Sequence, residues 1–440
     1  MKRRVLYAVL LALLAANLLL GARIYFYSAQ AAPASDNPYE NYRLLADVME
    51  KVRLEYVDGD KISYQDLVHA ALRGMLGSLD PHSEYLDARR FEDLKNDTEG
   101  EFGGIGIVVE VRDKWLTVVT PMDGSPGFLA GIRRLDQIIK INDRSTEKMG
   151  LEDAVGVLRG EPGSKVSITI HRPATGETTN FNLVRAIVKV PTVQDINDQQ
   201  KFPLGENSIG YVRINQFGEK TSDDLRAALA TLSGEGMKAL ILDLRNNPGG
   251  LLDQAEYVCE QFVPSGHKIV STEGRGPTPK TVYIARNRGK RIDLPMVVLV
   301  NWGSASAAEI VTGCLQDEQE WTHAIVVGEQ TFGKGSVQSI LPLGDGSALK
   351  LTTAKYYTPS HKVIHEHGIT PDIIVPQTPQ EDEDLRLKQN TAALESLDDK
   401  DRERVNNTQD RQLERAVDLL KGVLLYAQRA APAKVAAAAR

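Results

Sequence analysis

Two serines, Ser304 and Ser306, lie in the stretch NWGSASAAEI, whose small residues predict the start of a helix. A serine hydroxyl can attack a carbonyl carbon once a neighbouring base removes its proton. The same stretch also has a purely structural interpretation, because Ser306 followed three residues later by Glu309 fits a capping box. These residues alone leave both interpretations open.

A lysine that could serve as the base lies in the glycine-rich stretch QTFGKGSVQ, where Lys334 stands between two glycines. A lysine accepts a proton only if burial or nearby positive charge lowers its pKa toward neutrality. Gln338, four residues later, could accept a hydrogen bond from the ammonium group and orient it. Taken singly, Lys334 could equally be an exposed turn residue and Gln338 a surface residue.

Backbone amides that could bind a negatively charged oxygen come from Gly249 and Gly250, at the end of the stretch RNNPGG. Amides at a helix start can stabilise the oxyanion formed during attack on a carbonyl, because no side chain blocks the approach and the helix dipole favours negative charge. A plain strand-to-helix turn explains the same two glycines.

Three apolar runs precede these stretches and predict the strands that position them: ALILDL (239–244), MVVLVN (296–301) and AIVVGE (324–329). Runs that are apolar at nearly every position, each followed by a helix-like segment, indicate parallel strands buried on both faces. The carboxyl ends of neighbouring parallel strands meet at one edge of a sheet. We therefore predict an α/β core that collects the parts of a serine hydrolase at one edge.

The rest of the chain indicates further units around this core. Residues 36–100 carry apolar residues at helical spacing, and residues 101–187 alternate short apolar segments around one helical stretch. We place the core at 188–378 and a charged linker with a C-terminal amphipathic helix at 379–440. A chain of 440 residues is expected to form roughly two to four such units.

The first 34 residues have the pattern of an export segment. Basic residues at 2–4 precede an apolar run at 5–22, as in a signal peptide or a membrane anchor. The run is about long enough to span a bilayer, whereas the Ala-Gln-Ala triplet at 29–31 fits a cleavage site. Both alternatives stay open, and both predict export to the periplasm, the cell envelope or the medium.

The composition is that of an ordinary globular protein, with 42% hydrophobic and 25% charged residues and a net charge of -7. Nucleic acid is not an expected partner, because phosphate binding needs a concentrated positive surface. Two cysteines, Cys259 and Cys314, provide no disulfide framework; buried free thiols or a single bridge explain them.

The eight histidines offer an alternative base or a metal site. None lies in a predicted strand-end loop with an acidic partner, although His323 directly precedes the AIVVGE run. The stretch HKVIHEH, with His361, His365 and His367, could be a metal cluster, but no fourth ligand is apparent. We predict neither a metal nor another cofactor.

Several segments together resemble the carboxy-terminal processing proteases, also called tail-specific proteases, over about residues 37–378. The resemblance implies a serine endopeptidase that forms an acyl-enzyme through a Ser-Lys dyad. It implies a multidomain α/β fold with a crotonase-like or Clp-protease-like core and an inserted PDZ domain. The segments are SLDPHSEYL, RNNPGG, GSASAAEI, TFGKGSVQ, LKLTTAKYYTPS and HGITPDI.

The same resemblance assigns a role to each residue of the site. It implies the nucleophile Ser306, the general base Lys334, the orienting residue Gln338, and an oxyanion hole formed by the amides of Gly249 or Gly250 and of Ala307.

Residues 101–187 resemble the PDZ domain of that family. An extended peptide would add as a strand beside IGIVVEV, and a preceding loop would hold its terminal carboxylate on backbone amides. From the residues alone, a strand bulge or a turn explains the glycines of that loop equally. The loop consists of Gly103, Gly104, Ile105 and Gly106.

Two other function classes compete with a protease. One is a catalytically silent PDZ adaptor that binds protein tails, against which the intact set of Ser306, Lys334 and Gln338 argues. The other is an acyl-CoA enzyme of the crotonase type, which the export segment disfavours. The expected partners are proteins or peptides with apolar C-terminal tails and a second copy of the chain, paired through the amphipathic terminal helices.

Overall fold

The computed structural model describes residues 37–438, except 113, 123, 276–279, 287, 288, 290, 390–393, 395 and 396. The segment predicted to direct export lies outside the described residues. No helix in the described part of the chain is both long and apolar enough to cross a membrane. The chain divides into two compact units, residues 1–75 and 76–440.

The described part of the first unit contains helices where the sequence has helical spacing. Helix α1 (Pro38–Glu55) begins where the Asn37 side chain accepts a hydrogen bond from the Tyr39 amide. Helix α2 (Tyr64–Gly77), whose last turn enters the second unit, follows a short 3-10 turn. Ser63 and Asp66 cap α2 reciprocally, because each side chain accepts from the amide of the other.

The second unit begins with a short strand and a helix and continues into a small β module. The module's main sheet is antiparallel, in the order β3-β4-β5-β7-β8, with β6 on β5 and a separate β2-β9 pair. Strand β3 is therefore an edge strand. The elements are β1 (Glu84–Leu86), α3 (Ala88–Glu99), β2 (Glu101–Gly104), β3 (Ile107–Arg112), β4 (Trp115–Pro121), α4 (Pro126–Leu129), β5 (Gln137–Ile141), β6 (Arg144–Ser145), α5 (Leu151–Leu158), β7 (Lys165–Arg172), β8 (Glu177–Val184) and β9 (Ala186–Lys189).

A larger α/β core follows the β module. Its strands and helices are β10 (Val193–Gln194), β11 (Ile209–Ile214), α6 (Thr221–Gly234), β12 (Ala239–Asp243), α7 (Leu252–Cys259), β13 (Lys268–Gly274), β14 (Thr281–Ile284), β15 (Met296–Val300), α8 (Ala307–Asp317), α9 (Gln319–Thr322), β16 (Ala324–Gly328), β17 (Ser336–Pro342), β18 (Ala348–Tyr357) and β19 (Ile373–Ile374).

The main sheet of this core has the order β10-β11-β12-β15-β16-β19. Strands β11, β12, β15, β16 and β19 run parallel to one another, whereas β10 pairs antiparallel with β11, and every residue of β12 and β15 is buried. The three apolar runs are thus adjacent parallel strands, as predicted. Their carboxyl ends meet at one edge, which carries the three candidate stretches.

The core also contains a second sheet, which the sequence did not predict. It has the order β1-β18-β13-β14, and β17 pairs with β18. Strand β17 begins two residues after Lys334 and contains Gln338. The glycine-rich stretch QTFGKGSVQ, which indicates a loop after the AIVVGE run, is therefore not a loop throughout, because Gln338 lies within a strand, opposite Thr352 of β18.

The charged C-terminal stretch, predicted as a linker, contains helices α10 (Pro379–Gln389) and α11 (Asp399–Asn407) before the long helix α12 (Arg411–Ala438). Ala416 and Leu420 of α12 are buried against the main sheet. A buried ion network adds to this contact, because Arg245, just after β12, binds Asp243 at 2.7 Å and Asp410 at 2.8 Å. Burial opposes ionisation of Asp243, but its two arginine neighbours lower its pKa to about 2.

Cys259 and Cys314 are free and buried. Cys259 is the last residue of α7, and Cys314 lies within α8. These two helices pack together in the main core cluster. The free-thiol interpretation of these two residues is therefore confirmed.

Candidate functional site

The turn between β15 and α8 holds Ser306 in a backbone conformation that is rare for a residue with a side chain. Its φ is 54° and its ψ is -113°. Backbone strain of this kind is found at active sites, including the strand-to-helix turn that carries the nucleophile of the α/β-hydrolases. Ser306 is half-buried, so its side chain has access to solvent.

Ser304 is fully buried and has a structural role. Its hydroxyl donates to the carbonyl of Leu244 at 2.8 Å and accepts from the amide of Asn301 at 3.0 Å. Both bonds fix the turn against the ends of strands β12 and β15. Of the two serines, only Ser306 is free to react.

Gly249 and Gly250 lie directly beside this turn. Both have positive φ, of 103° and 143°. A Cβ atom at Gly249 would lie 2.7 Å from Ser306 Cβ and 3.0 Å from the Ala307 nitrogen, and one at Gly250 would lie 2.2 Å from the carbonyl oxygen of Phe217. Only glycine fits at either position.

The amides of these residues differ in availability. The Gly249 amide donates to Asn247 Oδ1 at 2.8 Å. Within the described part of the chain, no group accepts from the amides of Gly250 and Ala307. The sequence could not decide between the amides of Gly249 and Gly250 as oxyanion donors. In the structure, the Gly249 amide is already bonded, so the amides of Gly250 and Ala307 are the ones available.

Glu309 joins the turn of the nucleophile candidate to the loop of the base candidate. Its fully buried carboxylate accepts from the amide of Ser306 at 2.8 Å, and from the amides of Gly333 at 2.7 Å and Lys334 at 2.9 Å. It also accepts from the Thr331 hydroxyl at 2.6 Å. One side chain thus fixes the separation between the backbones of Ser306 and Lys334.

If Ser306 and Lys334 react as the family resemblance implies, Glu309→Gln should lower kcat by roughly ten- to a hundredfold, because an amide nitrogen cannot accept the bonds that one carboxylate oxygen accepts now. Glu309 also raises the pKa of Lys334 by its charge. Its removal should therefore shift the rise of activity with pH to lower pH. A pH profile of kcat for both proteins checks this; a shift to higher pH would contradict the assigned contact.

Lys334 is half-buried, and its pKa is lowered. Desolvation is the largest cause, and the positive charge of Lys350 adds to it, whereas Glu309 opposes it. A lysine in this setting loses its proton more readily than one in water. In the described part of the chain, no hydrogen bond joins its Nζ atom to Ser306 or Gln338.

Gln338 is held by its amide nitrogen, which donates to Thr352 Oγ1 at 2.9 Å and to Ser336 Oγ at 3.2 Å. Its carbonyl oxygen Oε1 is buried and has no partner among the described residues. The side chain therefore retains one buried acceptor, four residues beyond Lys334.

His323, which the sequence offered as an alternative base, lies at the end of the sheet away from Ser306. His323 precedes β16, opposite the edge that carries Ser306, and faces Asp293 at 3.4 Å. His82, which the sequence did not single out, lies close enough to Lys334 for their charges to interact. Desolvation lowers the pKa of His82, and the charges of Lys334 and Lys350 lower it further.

No metal site emerges from the histidine-rich stretch. His361 bonds to Glu273 at 2.9 Å, and His367 Nδ1 lies 2.8 Å from the carbonyl oxygen of His365. Among the residues that the structure describes, no three His, Cys, Asp or Glu side chains are grouped so that they could hold a metal ion.

The glycine loop of the β module precedes its edge strand β3. Gly106 has a φ of 66°, and its carbonyl oxygen accepts from Ser125 Oγ at 2.8 Å. The carbonyl oxygen of Ile105 accepts from the Gly127 amide at 2.8 Å. Within the described residues, the amides of Ile105 and Gly106 have no acceptor.

The sequence missed Glu309 as the connection between the two loops, and His82 as a neighbour of Lys334. Glu309 had a visible signal, its place three residues after Ser306, but this spacing predicts only the bond to the Ser306 amide. Its bonds to Thr331 and Gly333 depend on tertiary contact. His82 lies far from Lys334 in the chain and gave no local signal.

Comparison with known proteins gives consistent similarities. The sequence model of peptidase family S41 matches residues 208–375, and that of the PDZ domain matches residues 117–172. The chain is 43% identical over 345 residues to a carboxy-terminal-processing protease of Bartonella bacilliformis, covering 78% of this chain and 76% of the relative.

The chain is also similar to a second bacterial relative and to one solved structure. The chain is 35% identical over 348 residues to the carboxy-terminal processing protease CtpA of Bacillus subtilis, covering 78% of this chain and 70% of the relative. A solved structure of a photosystem II D1 C-terminal processing protease is 30% identical, with a TM-score of 0.45, and the match covers 80% of this chain and 97% of that one.

Proposed function

Because the chain belongs to the carboxy-terminal processing proteases of peptidase family S41, we propose that it is an exported serine endopeptidase. It binds protein tails through its PDZ domain and cleaves them with a dyad of Ser306 and Lys334. The observation that carries this proposal is the strained, accessible Ser306, whose amide shares the Glu309 carboxylate with the amide of Lys334.

In the proposed reaction, Ser306 Oγ attacks the carbonyl carbon of the scissile bond while its proton passes to neutral Lys334 Nζ. The amides of Gly250 and Ala307 stabilise the resulting oxyanion. The C–N bond then breaks as the Lys334 ammonium returns the proton to the leaving amine. Water then attacks the acyl-enzyme with Lys334 again as base; the ester C–O bond breaks, the Lys334 ammonium returns the proton to Ser306 Oγ, and the second product leaves as a carboxylic acid.

Desolvation supports Lys334 as the base, because it lowers the pKa of this side chain. Gln338 is proposed to accept a hydrogen bond from the ammonium through its buried Oε1 atom. This bond would aim Nζ at Ser306 once a substrate is bound.

The proposal is tested by incubating wild-type and Ser306→Ala protein with an unfolded substrate that has an apolar C-terminal tail. Mass spectrometry of the products locates any cut. We expect cleavage by wild type, and binding without cleavage by the variant. A catalytically silent PDZ adaptor would bind the tail in both forms and cut it in neither.

Tail recognition is proposed to occur at Gly103 to Gly106, where the amides of Ile105 and Gly106 would bind the terminal carboxylate. The bound peptide would pair with the free edge of β3. The enzyme would thus recognise a protein tail by its terminal carboxylate, which every unmodified C-terminus has.

Amidation of the substrate's C-terminus should slow processing by roughly ten- to a hundredfold, because it removes the charge that those amides bind. Rates for paired free-acid and amidated peptides measure the effect. With the Ser306→Ala protein, the free acid should also bind more tightly than the amide. Equal rates for the two peptides would contradict tail recognition.

We also propose that two copies pair through their terminal helices and that the N-terminal segment directs export or tethers the chain. The apolar side chains of Tyr42 and Leu44 on α1, and of Leu425 and Tyr426 on α12, are exposed and available for pairing. Sedimentation of the full chain tests the pairing. A monomer at micromolar concentration would contradict it.

A further inference from the structure

A row of hydrogen-bonded side chains leads from the segment before β1 to Gln338. Asp80 Oδ2 accepts from the Ser83 hydroxyl at 2.7 Å, and Ser83 Oγ accepts from the amide of Thr352 at 3.2 Å. Thr352 Oγ1 in turn accepts from Gln338 Nε2 at 2.9 Å. The antiparallel pairing of β1 with β18, and of β18 with β17, brings these residues together.

The donors and acceptors of this row are consistent in only one direction. A carboxylate only accepts hydrogen bonds, so the single hydroxyl proton of Ser83 is committed to Asp80. The Thr352 hydroxyl, whose oxygen lies 3.5 Å from Ser83 Oγ, hydrogen-bonds to Asp80 as well, and the carboxylate can only accept. Thr352 Oγ1 is left to accept, and only the amide nitrogen of Gln338 can donate to it.

Asp80 keeps its charge in this setting. Desolvation raises its pKa, but the hydrogen bonds from the Ser83 hydroxyl and from the amides of His82 and Ser83 outweigh it, so that the pKa lies below its ordinary value. The direction of the row is therefore fixed at neutral pH.

The consequence for Gln338 is a defined orientation of its amide. With Nε2 turned to Thr352 and Ser336, Oε1 remains as a buried acceptor without a partner among the described residues. A buried acceptor in this state costs free energy until a donor reaches it. The ammonium group of Lys334 is such a donor.

We propose that Asp80, Ser83 and Thr352 are positioning residues that hold the Gln338 amide with its oxygen toward Lys334. This inference rests on the proposed Ser-Lys mechanism and extends it to a segment outside the core. If the amide were reversed, its NH2 group would face the ammonium, repel it and leave Nζ unaligned with Ser306.

The test measures kcat, KM and the pH dependence of kcat for Asp80→Asn, Ser83→Ala and Thr352→Val. We expect kcat to fall roughly ten- to a hundredfold with KM unchanged. The rise of activity should move to lower pH, because an acceptor that stabilises the Lys334 ammonium is lost. General loosening that admits water would move it to higher pH, toward the behaviour of an ordinary lysine.

Coupling to Gln338 separates positioning from a structural effect. In a Gln338→Ala background, Ser83→Ala should have no further effect on kcat, because the group it positions is already absent. Thr352→Ser keeps the hydroxyl and should restore activity relative to Thr352→Val. An undiminished loss in the Gln338→Ala background would overturn the inference.

The chain offers a matched control on the same two strands. Ser339 follows Gln338 on β17, and Thr353 follows Thr352 on β18. Both therefore lie on the face of the sheet opposite to Gln338 and Thr352, and their hydroxyl oxygens are 2.6 Å apart. Ser339→Ala and Thr353→Val should leave kcat and its pH profile unchanged. Positioning variants that behave like this control would overturn the inference alone, whereas wild-type activity that does not depend on Ser306 or Lys334 would overturn the proposed function itself.

Discussion

Ser306→Ala is expected to reduce cleavage by roughly a millionfold, because loss of the nucleophile removes the covalent step. The variant should still fold, since loss of a capping side chain costs only about 1 kcal/mol. Steady-state rates with a tailed peptide, together with thermal unfolding, measure both effects.

Ser304→Ala is the matched control. It removes a buried hydroxyl that both donates and accepts, so it should lower the free energy of unfolding by about 1–3 kcal/mol. It should retain substantial activity. An inactive Ser304 variant beside an active Ser306 variant would reverse the assignment of the nucleophile.

Lys334→Ala and Lys334→Arg should each lower kcat by roughly a thousandfold or more, because alanine has no base and arginine stays protonated at every accessible pH. In the wild type, only the neutral lysine can act. Activity should therefore rise with pH as Lys334 loses its proton, and level off above its pKa. Because desolvation and Lys350 lower this pKa, the rise should lie below the range of an ordinary lysine.

Two neighbours provide controls for this profile. Lys350→Gln removes a positive charge that lowers the pKa of Lys334, so the rise should move to higher pH, opposite to the shift for Glu309→Gln. His82→Ala should keep the rise, although this histidine lies near Lys334. A His82 variant without activity, beside active Lys334 variants, would favour a serine-histidine mechanism.

The position of the site could be predicted from the sequence because its determinants are local. Strands buried on both faces are apolar at nearly every residue, so the runs ending at Leu244, Asn301 and Glu329 identified three parallel neighbours. The order of glycine, serine and lysine stretches after them then placed all three at one edge of the sheet, and the structure has this arrangement.

The connections within the site could not be predicted, because they join residues that are distant in the chain. Glu309 binds the Gly333 amide, 24 residues away, and Ser83 binds the Thr352 amide, 269 residues away. The sequence did not indicate that Gln338 lies in a strand, because β17 has half-buried residues on both faces and therefore no clear alternation of apolar and polar residues. The unequal roles of the Gly249 and Gly250 amides depend on Asn247, whose side chain direction no local pattern indicates.

If Ser306 is the nucleophile, it forms a covalent acyl-enzyme with the substrate, and this intermediate can be trapped. Wild-type protein mixed with a tailed peptide is quenched in acid during the first turnover, digested and mapped by mass spectrometry. The N-terminal product should be attached to the peptide that contains Ser306. The adduct should be absent from Ser306→Ala and far slower to form in Lys334→Ala. An adduct on any other residue would show that Ser306 is not the nucleophile, and one that forms equally fast without Lys334 would show that Lys334 is not the base.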